Sequence, residues 1–435
     1  MRNIRIGMIG CGVVGQGIMR LLKENAASIE GRLGGSIEVR RIAAHDPSKE
    51  RGPYVPMSLL TYDPEEVLSD PSVELVVEVM GGVEPSHGYV KRALEAGKAV
   101  VTANKALIAA RGHELIELAE ARGVDLYFEA AVAGGVPVLR VLREAFASDR
   151  IVAVRGIING TSNYILSRMQ ESGIDFGPAL KEAQEKGYAE ADPTLDVGGG
   201  DASHKLAILA MLAYGAKLEV SQISTSGIDQ VAAIDIAFAG RFGYVIKPLA
   251  VARALPDGSL DLRVHPGLVS RKSVLSSVNG ALNAVYIEGI AVGPCLLSGL
   301  GAGALPTAVS VVSDIVDVGR NMRSESRGRV PQRAFRGERV TVPHVQDIAD
   351  HRCRFYLRFS VLDRSGVLGK IASALGQCDV SIEQMVQEGH STGEPVSVVM
   401  LTHPAREGNV RTALEAIRAL DILTESARAF RIEST

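Results

Sequence analysis

The stretch IRIGMIGCGVVGQGIMRLLKEN, residues 4–25, decides the fold of the N-terminal part of the chain. A continuous apolar run comes first, glycines follow at Gly10, Gly12 and Gly15, and helical spacing of apolar residues begins directly afterwards. Such glycines permit a tight turn, a close approach of the backbone to a pyrophosphate, and close packing of helix on strand. A strand, a glycine turn and a helix in this order predict a dinucleotide-binding βαβ unit, with a plain structural turn as the alternative.

Three further apolar runs predict other strands of the same sheet. They are SIEVRRIAAHD (36–46), VELVVEVMGG (73–82) and KAVVTANKAL (98–107), and HGYVKRALEAG (87–97) has helical spacing between the last two. Strands that alternate with helices predict an α/β fold with a Rossmann-type doubly wound parallel sheet. Ligands bind such sheets at the carboxyl ends of the strands, where the glycine turn falls.

The choice between NAD and NADP should depend on the end of the second strand, near His45 and Asp46. A carboxylate there favours the free 2′-hydroxyl of NAD, whereas basic side chains can meet the 2′-phosphate of NADP. Basic residues nearby are Arg40, Arg41 and Lys49. The sequence therefore predicts NAD(P) as the cofactor and leaves the preference open.

Size, charge and cysteine content restrict the class of protein. With 435 residues the chain is too long for one core, so two or three domains are expected. Lysine and arginine number 47 against 50 acidic residues, so nucleic acid is not an expected partner. The N-terminus has no cleavable signal pattern, and the apolar run LAILAMLAY (206–214) is too short to cross a membrane. The four cysteines lie singly, without a pattern typical of disulfides or zinc sites, so we expect a cytoplasmic protein. The nearly balanced charge makes small molecules the expected partners.

The rest of the chain predicts two further domains. The strand-like run IVAVRGIING (151–160), with the helices and strands after it, predicts an α+β substrate domain. From residue 351 the order is that of a ferredoxin-like βαββαβ domain. The expected divisions are a cofactor-binding domain at 1–135 to which about 298–320 returns, a catalytic domain at 136–297, a linker at 321–350 and a regulatory domain at 351–435.

Seven arginines crowd the predicted linker and the end of the helix before it. They are Arg320, Arg323, Arg327, Arg329, Arg333, Arg336 and Arg339. An anion-binding patch is one interpretation. Charge runs in segments poor in apolar residues are more often solvated, so a solvated linker is expected.

The segment GYAEADPTLDVGGGDASHK (187–205) combines acids, glycines and a lysine directly before an apolar helix. Because LAILAMLAY (206–214) is apolar on nearly every side, that helix must be buried. Asp201 and Lys205 occupy its first turn at i,i+4, and an exposed pair that charges the helix start is the simpler interpretation. A lysine at the mouth of a buried helix can instead hold its amine close to a hydroxyl whose proton leaves as a hydride departs.

The same segment resembles one enzyme family. Ala183-x-x-x-Gly187-Tyr188-Ala189-x-x-Asp192-Pro193-x-x-Asp196-Val197-x-Gly199-x-Asp201-x-x-x-Lys205 matches the signature of homoserine dehydrogenase without a gap. Nearly the whole chain is similar to this family, through the glycine loop, VTANKAL (101–107), FEAAVAGGVPVL (128–139), GIINGTSNYIL (156–166) and GLGAGALPTA (299–308). The C-terminal part resembles an ACT domain, as in the longer members.

The resemblance implies a reversible oxidation of L-homoserine to L-aspartate 4-semialdehyde by NAD(P), in the pathway to threonine and methionine. Lys205 would be the acid and base at the substrate oxygen, Asp201 would orient it, and Lys105 would face nicotinamide and substrate. The implied substrate-binding residues are Glu190, which would take the ammonium group, Asp196, Thr161 and Tyr188. The implied cofactor-binding residues are Gly10, Gly12, Val13, Val14, Gly15, Thr102, Lys105 and Gly303.

The family also holds a sodium ion. The resemblance implies that Glu129 and the main chain of Val132, Gly134 and Val136 would bind it here. The residues by themselves predict only a strand and a turn.

One position departs from the pattern of many NADP-preferring members, which carry an arginine before the strand-two aspartate. This chain has His45 before Asp46. An imidazole is a poorer phosphate partner than a guanidinium, so the resemblance does not decide the cofactor preference.

The stretch DRSGVLGKIASAL (363–375) matches the turn between the first strand and helix of an ACT domain, although Ser365 stands where a proline is common. Its glycine and helix N-terminus suit an amino-acid carboxylate. L-Threonine, as a pathway end product, is the implied feedback inhibitor. A dimerisation module without a ligand is the alternative.

Two other functions compete with this one. Phosphoglycerate dehydrogenases also join a dinucleotide domain to an ACT tail, but they have no counterpart of the block at 183–205. A catalytically inactive amino-acid sensor is disfavoured because Lys105, Glu190, Asp201 and Lys205 are all retained. No kinase domain precedes residue 1, so we expect the monofunctional enzyme, as a homodimer or homotetramer.

Overall fold

The computed structural model describes residues 3–388 and 395–433. The strands are β1 (Ile4–Ile9), β2 (Ile37–Ala43), β3 (Leu60–Thr61), β4 (Leu75–Glu78), β5 (Ala99–Thr102), β6 (Leu126–Tyr127), β7 (Ile151–Ile157), β8 (Ser224–Thr225), β9 (Tyr244–Ala254), β10 (Leu260–Ser270), β11 (Leu282–Gly289), β12 (Gly293–Leu300), β13 (Arg352–Leu362), β14 (Ile382–Glu388), β15 (Pro395–Thr402), β16 (Ala405–Arg406) and β17 (Arg428–Glu433).

The α-helices are α1 (Val13–Glu24), α2 (Ala26–Leu33), α3 (Glu65–Leu68), α4 (Ser86–Glu95), α5 (Lys105–Arg122), α6 (Val138–Arg140), α7 (Gly160–Ser172), α8 (Phe176–Glu185), α9 (Thr194–Val197), α10 (Gly200–Tyr214), α11 (Ala233–Arg241), α12 (Ala304–Arg323), α13 (Val367–Gln377) and α14 (Glu407–Arg418). Shorter helical turns lie at Met57–Leu59, Glu129–Ala131, Val141–Ala145, Val220–Gln222, Val274–Ser277, Gly337–Arg339 and Ile348–Asp350. Within the described ranges, no helix has the length and apolar character that a membrane span requires.

The first of two compact units consists of Met1–Ile158, Asp201–Ile223 and Leu282–Pro343. Its six-stranded sheet has the order β3-β2-β1-β4-β5-β6, and every neighbouring pair is parallel. This is the order of a doubly wound dinucleotide-binding fold, so the predicted Rossmann-type sheet is confirmed. All residues of β4 and β5 are buried, as expected for parallel strands that are covered on both faces.

The three glycines after β1 differ in what surrounds them. Gly10 has a φ of +109°, and a Cβ there would lie 2.7 Å from the carbonyl group of Val79. A Cβ on Gly15 would lie 2.7 Å from the carbonyl oxygen of Gly10, so α1 packs tightly on the turn. Gly12, by contrast, has no neighbouring heavy atom within 4 Å of that position. An open N-terminus of this kind suits a phosphate group.

The segment after α12 was expected to be a solvated linker, but part of it is buried. Arg333 is only 1% exposed and pairs with Glu117 and Glu120 of α5. A buried guanidinium needs such carboxylate partners. The expectation of a solvated linker is therefore wrong at this arginine, because a neighbouring helix supplies the compensating charges.

Three antiparallel strands complete the sheet structure of the first unit. β11 pairs with both β7 and β12. Along β12 every second residue is exposed, including Leu296 and Leu300.

The second unit consists of Asn159–Gly200, Ser224–Ala281 and His344–Thr435. Its strands follow the order β9-β10-β17-β13-β15-β14, in which β10 and β17 are parallel and the other neighbours are antiparallel. The elements β13, α13, β14, β15, α14 and β17 occur in the predicted βαββαβ order, with the two-residue strand β16 between β15 and α14. The α+β character of the middle region and the ferredoxin-like C-terminal fold are therefore confirmed.

Candidate active site

The first turn of α10 carries a buried ion pair. The Nζ atom of Lys205 lies 2.7 Å from Oδ2 of Asp201, one helical turn earlier. The exposed fractions of these side chains are 11% and 2%. The interpretation as an exposed pair is therefore wrong, because the apolar residues from Leu206 to Ala213 draw the whole turn into the protein.

A second lysine reaches the same carboxylate. Lys105 is the first residue of α5, and its Nζ lies 2.7 Å from Oδ1 of Asp201. The start of α5 is fixed, since the Asn104 side chain accepts a hydrogen bond from the Leu107 N–H at 3.1 Å. Asp201 therefore holds two ammonium groups, one on each oxygen.

These lysines determine the ionisation of Asp201. Burial alone would raise its pKa, but the ammonium groups of Lys205 and Lys105 outweigh burial and hold the pKa well below its usual range. Asp201 consequently remains a carboxylate at neutral pH. The positions of both lysines depend on one fixed negative charge.

Lys205 has a further partner at the end of β7. Its Nζ donates a hydrogen bond of 2.7 Å to the carbonyl oxygen of Ile158. The same oxygen accepts a hydrogen bond from Nδ2 of Asn283, a residue that is 1% exposed, at 3.1 Å. The carbonyl group that orients the Lys205 amine is thus itself held in place.

Both lysines line a cavity of about 270 Å³ in the first unit, together with residues from the carboxyl ends of β4 and β5. A larger cavity of about 780 Å³ is lined by the glycine turn and by the end of β2, including His45 and Asp46. The residues Val79, Met80 and Gly81 line both cavities. The two cavities are therefore adjoining parts of one cleft at the ligand-binding edge of the sheet.

The residues predicted to bind the cofactor lie in and around this cleft. Gly10 and Gly12 line the larger cavity and Val14 lines the smaller one, while Val13 is exposed beside them. Gly15 contributes the tight packing of α1 described above.

Two other predicted cofactor residues need comment. Thr102 is fully buried, and its hydroxyl donates a hydrogen bond to Glu78 and accepts one from the Asn104 N–H. Its side chain is therefore not available to a cofactor. Gly303 has a φ of +113° directly before α12, next to Ala302 of the smaller cavity.

The four predicted substrate residues all belong to the second unit. The Thr161 hydroxyl donates a hydrogen bond of 2.6 Å to the carbonyl oxygen of Tyr188. The Asp196 carboxylate accepts a hydrogen bond of 2.7 Å from Nδ2 of Asn159. Glu190 and Tyr188 are exposed, so their side chains are accessible to a ligand.

The predicted sodium ligands lie on the turn after β6. The buried Glu129 carboxylate accepts hydrogen bonds from the N–H groups of Leu139 at 2.9 Å and Arg140 at 2.8 Å. Burial and the neighbouring carboxylate of Asp314 raise the pKa of Glu129, and a cation would relieve this repulsion. Hard cations prefer oxygen donors such as carboxylates and carbonyl groups. Glu129 offers a carboxylate, and Val132, Gly134 and Val136 offer main-chain carbonyl groups. The donor set therefore fits a sodium ion.

Comparison with known proteins decides the family. Family models described as homoserine dehydrogenase and as its NAD binding domain match residues 137–316 and 10–129, and an ACT domain model matches 355–421. Homoserine dehydrogenase of Neisseria gonorrhoeae is 42% identical over 100% of this chain and 99% of its own length. The chain belongs to the homoserine dehydrogenase family. The homoserine dehydrogenase of Bacillus subtilis is 38% identical, again over 100% of this chain and 99% of its own.

Solved homoserine dehydrogenase structures are also similar. That of Thiobacillus denitrificans has a TM-score of 0.94 at 42% identity and covers 100% of this chain and 99% of its own. A hyperthermophilic archaeal homoserine dehydrogenase in complex with NADPH has a TM-score of 0.61 at 26% identity and covers 73% of this chain and 98% of its own. The predicted family, oxidoreductase class, NAD-binding domain and ACT domain are confirmed, and nothing favours the inactive-sensor alternative.

Sequence reasoning missed three buried polar residues around this cleft: Glu78, Asn104 and Asn283. Glu78 ends a buried strand, where a carboxylate is unusual enough to be a signal. Asn104 directly precedes a helix and is a preferred N-cap residue. Asn283 gives no local signal, because its partner carbonyl lies far away along the chain.

Proposed function

We propose that the chain catalyses the reversible oxidation of L-homoserine to L-aspartate 4-semialdehyde with NAD(P). The observation that carries this proposal is the buried Asp201 that holds Lys105 and Lys205 at a cavity beside a dinucleotide-binding sheet. NAD(P) supplies the redox chemistry, since carbon C4 of its nicotinamide accepts or donates a hydride. The membership of the homoserine dehydrogenase family supports the choice of substrate.

Lys205 is the proposed acid and base. Its ammonium group can donate a proton to the carbonyl oxygen of the semialdehyde, and its neutral amine can accept that proton from the hydroxyl group in the opposite direction. Hydrogen bonds to Asp201 and to the carbonyl of Ile158 orient the amine. Lys105 has a more exposed side chain, at 38%, which supports a role in contacting nicotinamide and substrate.

Glu190 is proposed to bind the substrate ammonium group, since a carboxylate and an ammonium group form charge-assisted hydrogen bonds. Its exposure supports this role. Asp196, Thr161 and Tyr188 are also proposed to bind the substrate. The hydrogen bond between Thr161 and Tyr188 supports their acting together.

For the cofactor, we propose contacts with Gly10, Gly12, Val13, Val14, Gly15, Lys105 and Gly303, and with Thr102 only through its main chain. The NADPH bound by the archaeal relative supports NADP, whereas Asp46 in the larger cavity supports NAD. We therefore propose that the enzyme accepts both.

A sodium ion at Glu129 and the carbonyl groups of Val132, Gly134 and Val136 is also proposed. Replacing sodium by choline should lower the melting temperature of the wild type and leave that of Glu129→Gln unchanged. Equal melting temperatures of the wild type in both salts would contradict the site.

L-Threonine is the proposed effector of the ACT domain. Gly366, with a φ of +85°, precedes the N-terminus of α13, and a helix N-terminus suits a carboxylate. Titration with L-threonine should inhibit turnover and raise the melting temperature. No change in either quantity would favour the alternative of a module without a ligand.

A homodimer or homotetramer is proposed because the β11–β12 hairpin exposes several large apolar side chains. These are Leu282, Ile290, Val292, Leu296 and Leu300. Light scattering should give a mass of two or four chains, and a monomer would contradict the proposal. The cytoplasmic location remains a prediction. The division into 1–135 with 298–320, 136–297, 321–350 and 351–435 also remains a prediction.

The reaction is tested by following absorbance at the reduced-nicotinamide band with L-homoserine and either NAD+ or NADP+. Lys205→Ala should lose nearly all turnover, and the matched control Lys217→Ala, at an exposed position outside both cavities, should keep it. No turnover by the wild type with either cofactor would sink the proposed reaction. Undiminished turnover by Lys205→Ala would contradict the proposed role of that lysine as acid and base.

A further inference from the structure

Glu78 is a fully buried acid at the ligand-binding edge of the parallel sheet. It is the last residue of β4, between Ile9 of β1 and Thr102 of β5, and its exposed fraction is 0%. The part of the chain that the structure describes contains no ion pair to this carboxylate. Burial of a carboxylate is costly unless hydrogen bonds compensate for the lost water, so its partners should explain why it is there.

One oxygen of Glu78 holds the loop that follows its own strand. Oε1 accepts hydrogen bonds from the N–H groups of Met80 at 2.8 Å and Gly81 at 3.4 Å. Met80 and Gly81 line both cavities of the cleft. The glycine turn packs against the same loop, since a Cβ on Gly10 would lie 2.7 Å from Val79. This oxygen therefore fixes the wall that the two cavities share.

The other oxygen holds the start of α5. Oε2 accepts a hydrogen bond of 2.6 Å from the Thr102 hydroxyl, which accepts one of 2.9 Å from the Asn104 N–H. Asn104 caps α5 and also donates a hydrogen bond of 2.6 Å from Nδ2 to the carbonyl oxygen of Gly82. Lys105 comes next and pairs with Asp201. The second branch therefore leads from Glu78 to the lysine at the proposed reaction site.

We propose that Glu78 is a positioning residue of the active site, which sets both the cofactor-facing loop and the start of α5 that carries Lys105. This assignment rests on the proposed function. The carboxylate touches neither cavity, so it acts through Met80, Gly81 and Thr102. All its hydrogen bonds are accepted ones, and only an acceptor on both oxygens satisfies both branches.

Glutamine at this position tests that requirement. Its amide has one acceptor oxygen and one donor nitrogen, so Glu78→Gln can serve either the Met80 branch or the Thr102 branch. With the amide oxygen toward Met80, the amide nitrogen donates to the Thr102 hydroxyl, whose own proton then loses its acceptor. With the amide turned the other way, its nitrogen meets the N–H groups of Met80 and Gly81. We expect kcat/KM for the cofactor to fall by about tenfold to 100-fold, because small displacements of reacting groups are costly in rate.

Thr102→Val separates the two branches. It removes the hydroxyl through which Oε2 of Glu78 reaches the Asn104 N–H. The bonds that Oε1 accepts from Met80, Gly81, Ser86 and the Asn104 amide, the last at 3.5 Å, stay in place. We expect kcat to fall about tenfold, while the dissociation constant of the cofactor changes by less than about threefold. A residue that only stabilised the fold would give no such split.

Asp125→Asn is the matched control. Asp125 is 1% exposed, accepts hydrogen bonds from Asn321 and the Gly328 N–H, and lines neither cavity of the cleft. Its replacement should lower the melting temperature and keep kcat within about twofold of the wild type. Glu78→Gln and Asp125→Asn both place an amide where a buried carboxylate was. A loss of activity in Glu78→Gln alone is therefore due to the position of Glu78 and not to the buried amide itself.

One outcome overturns the assignment. In it, Glu78→Gln and Thr102→Val both keep kcat and kcat/KM within about twofold of the wild type, and their melting temperatures fall as much as that of Asp125→Asn. If the wild type turns over neither cofactor, the proposed function fails instead. In that case the NADPH affinity of Glu78→Leu, a variant that removes both branches, tests the assignment. A dissociation constant for NADPH at least about fivefold above that of the wild type supports a positioning role. An unchanged dissociation constant overturns it.

Discussion

The carboxylate of Asp201 lies 2.7 Å from the ammonium group of Lys205, and both side chains are almost completely buried. The other oxygen of Asp201 lies 2.7 Å from Lys105. One acid therefore orients two lysines that come from different helices. Two ammonium groups near one another repel, so their arrangement requires the carboxylate between them.

Asp201→Asn should consequently lower kcat by about 100-fold or more, since the amide cannot neutralise the lysines or hold both in place. The measurement is steady-state turnover of L-homoserine. Asp175→Asn, at an exposed helix end outside both cavities, is the control and should retain activity. An Asp201→Asn enzyme within about threefold of the wild type would contradict the role of this carboxylate.

The pH dependence of stability should reflect the lowered pKa of Asp201. Because the pKa is depressed in the folded state, the stabilising effect is fully present above the unfolded value of about 3.9 and is lost as the pH falls through the lower folded-state value. The difference in melting temperature between wild type and Asp201→Asn should stay constant from about pH 8 to about pH 5 and shrink only below about pH 4. A difference that shrinks already near neutral pH would argue against the ion pairs.

Two glycines of the turn should respond to alanine in different ways. Gly12→Ala adds a methyl group in open space, so the protein should fold normally but bind the cofactor at least about tenfold more weakly. Gly15→Ala places its methyl group 2.7 Å from the Gly10 carbonyl oxygen and should destabilise the fold by about 1–3 kcal/mol. Urea unfolding and cofactor titration measure the two effects. Normal cofactor affinity in Gly12→Ala would show that no phosphate approaches this position.

Asp46 should favour NAD over NADP. It lines the larger cavity, and its Oδ1 accepts hydrogen bonds from the Ser48 N–H at 2.8 Å and the Ser48 hydroxyl at 2.7 Å. Asp46→Ala should lower kcat/KM for NAD+ about tenfold and leave or raise that for NADP+. Asp257→Ala, which removes a similar turn with Ser259 away from the cavities, is the control and should change neither. An equal loss of kcat/KM for NAD+ and NADP+ in Asp46→Ala would exclude recognition of the ribose 2′-position by Asp46.

The junction of β10 and β17 should depend on a buried ion pair. Both oxygens of Glu433 accept hydrogen bonds of 2.9 Å from Arg263, and both residues are buried. Glu433→Ala would leave the guanidinium short of a partner and should cost about 3–5 kcal/mol in unfolding free energy by urea denaturation. The exposed pair of Lys181 and Glu185 gives the control, Glu185→Ala, with a loss below about 1 kcal/mol. Similar losses in both variants would contradict the importance of burial.

Local sequence chemistry was sufficient for much of the fold. The apolar run, the glycines and the helical spacing of residues 4–25 predicted β1, the turn and α1, because each of these features acts between near neighbours in the chain. The spacing of Asp201 and Lys205 placed them on one helix face for the same reason. The family signature in that segment supplied the choice of reaction.

Other features depended on segments that are distant along the chain. The sequence by itself determined the strands, the helices, the glycine turn and the first turn of α10, since backbone preference and periodicity are local properties. Only the tertiary structure decided that Lys105 shares Asp201, that Asn283 holds the Ile158 carbonyl, and that Thr102 turns its hydroxyl toward Glu78. Hydrogen bonds and ion pairs form between whichever groups the packed core brings within about 3 Å, and that proximity is set by the whole chain rather than by neighbours in sequence.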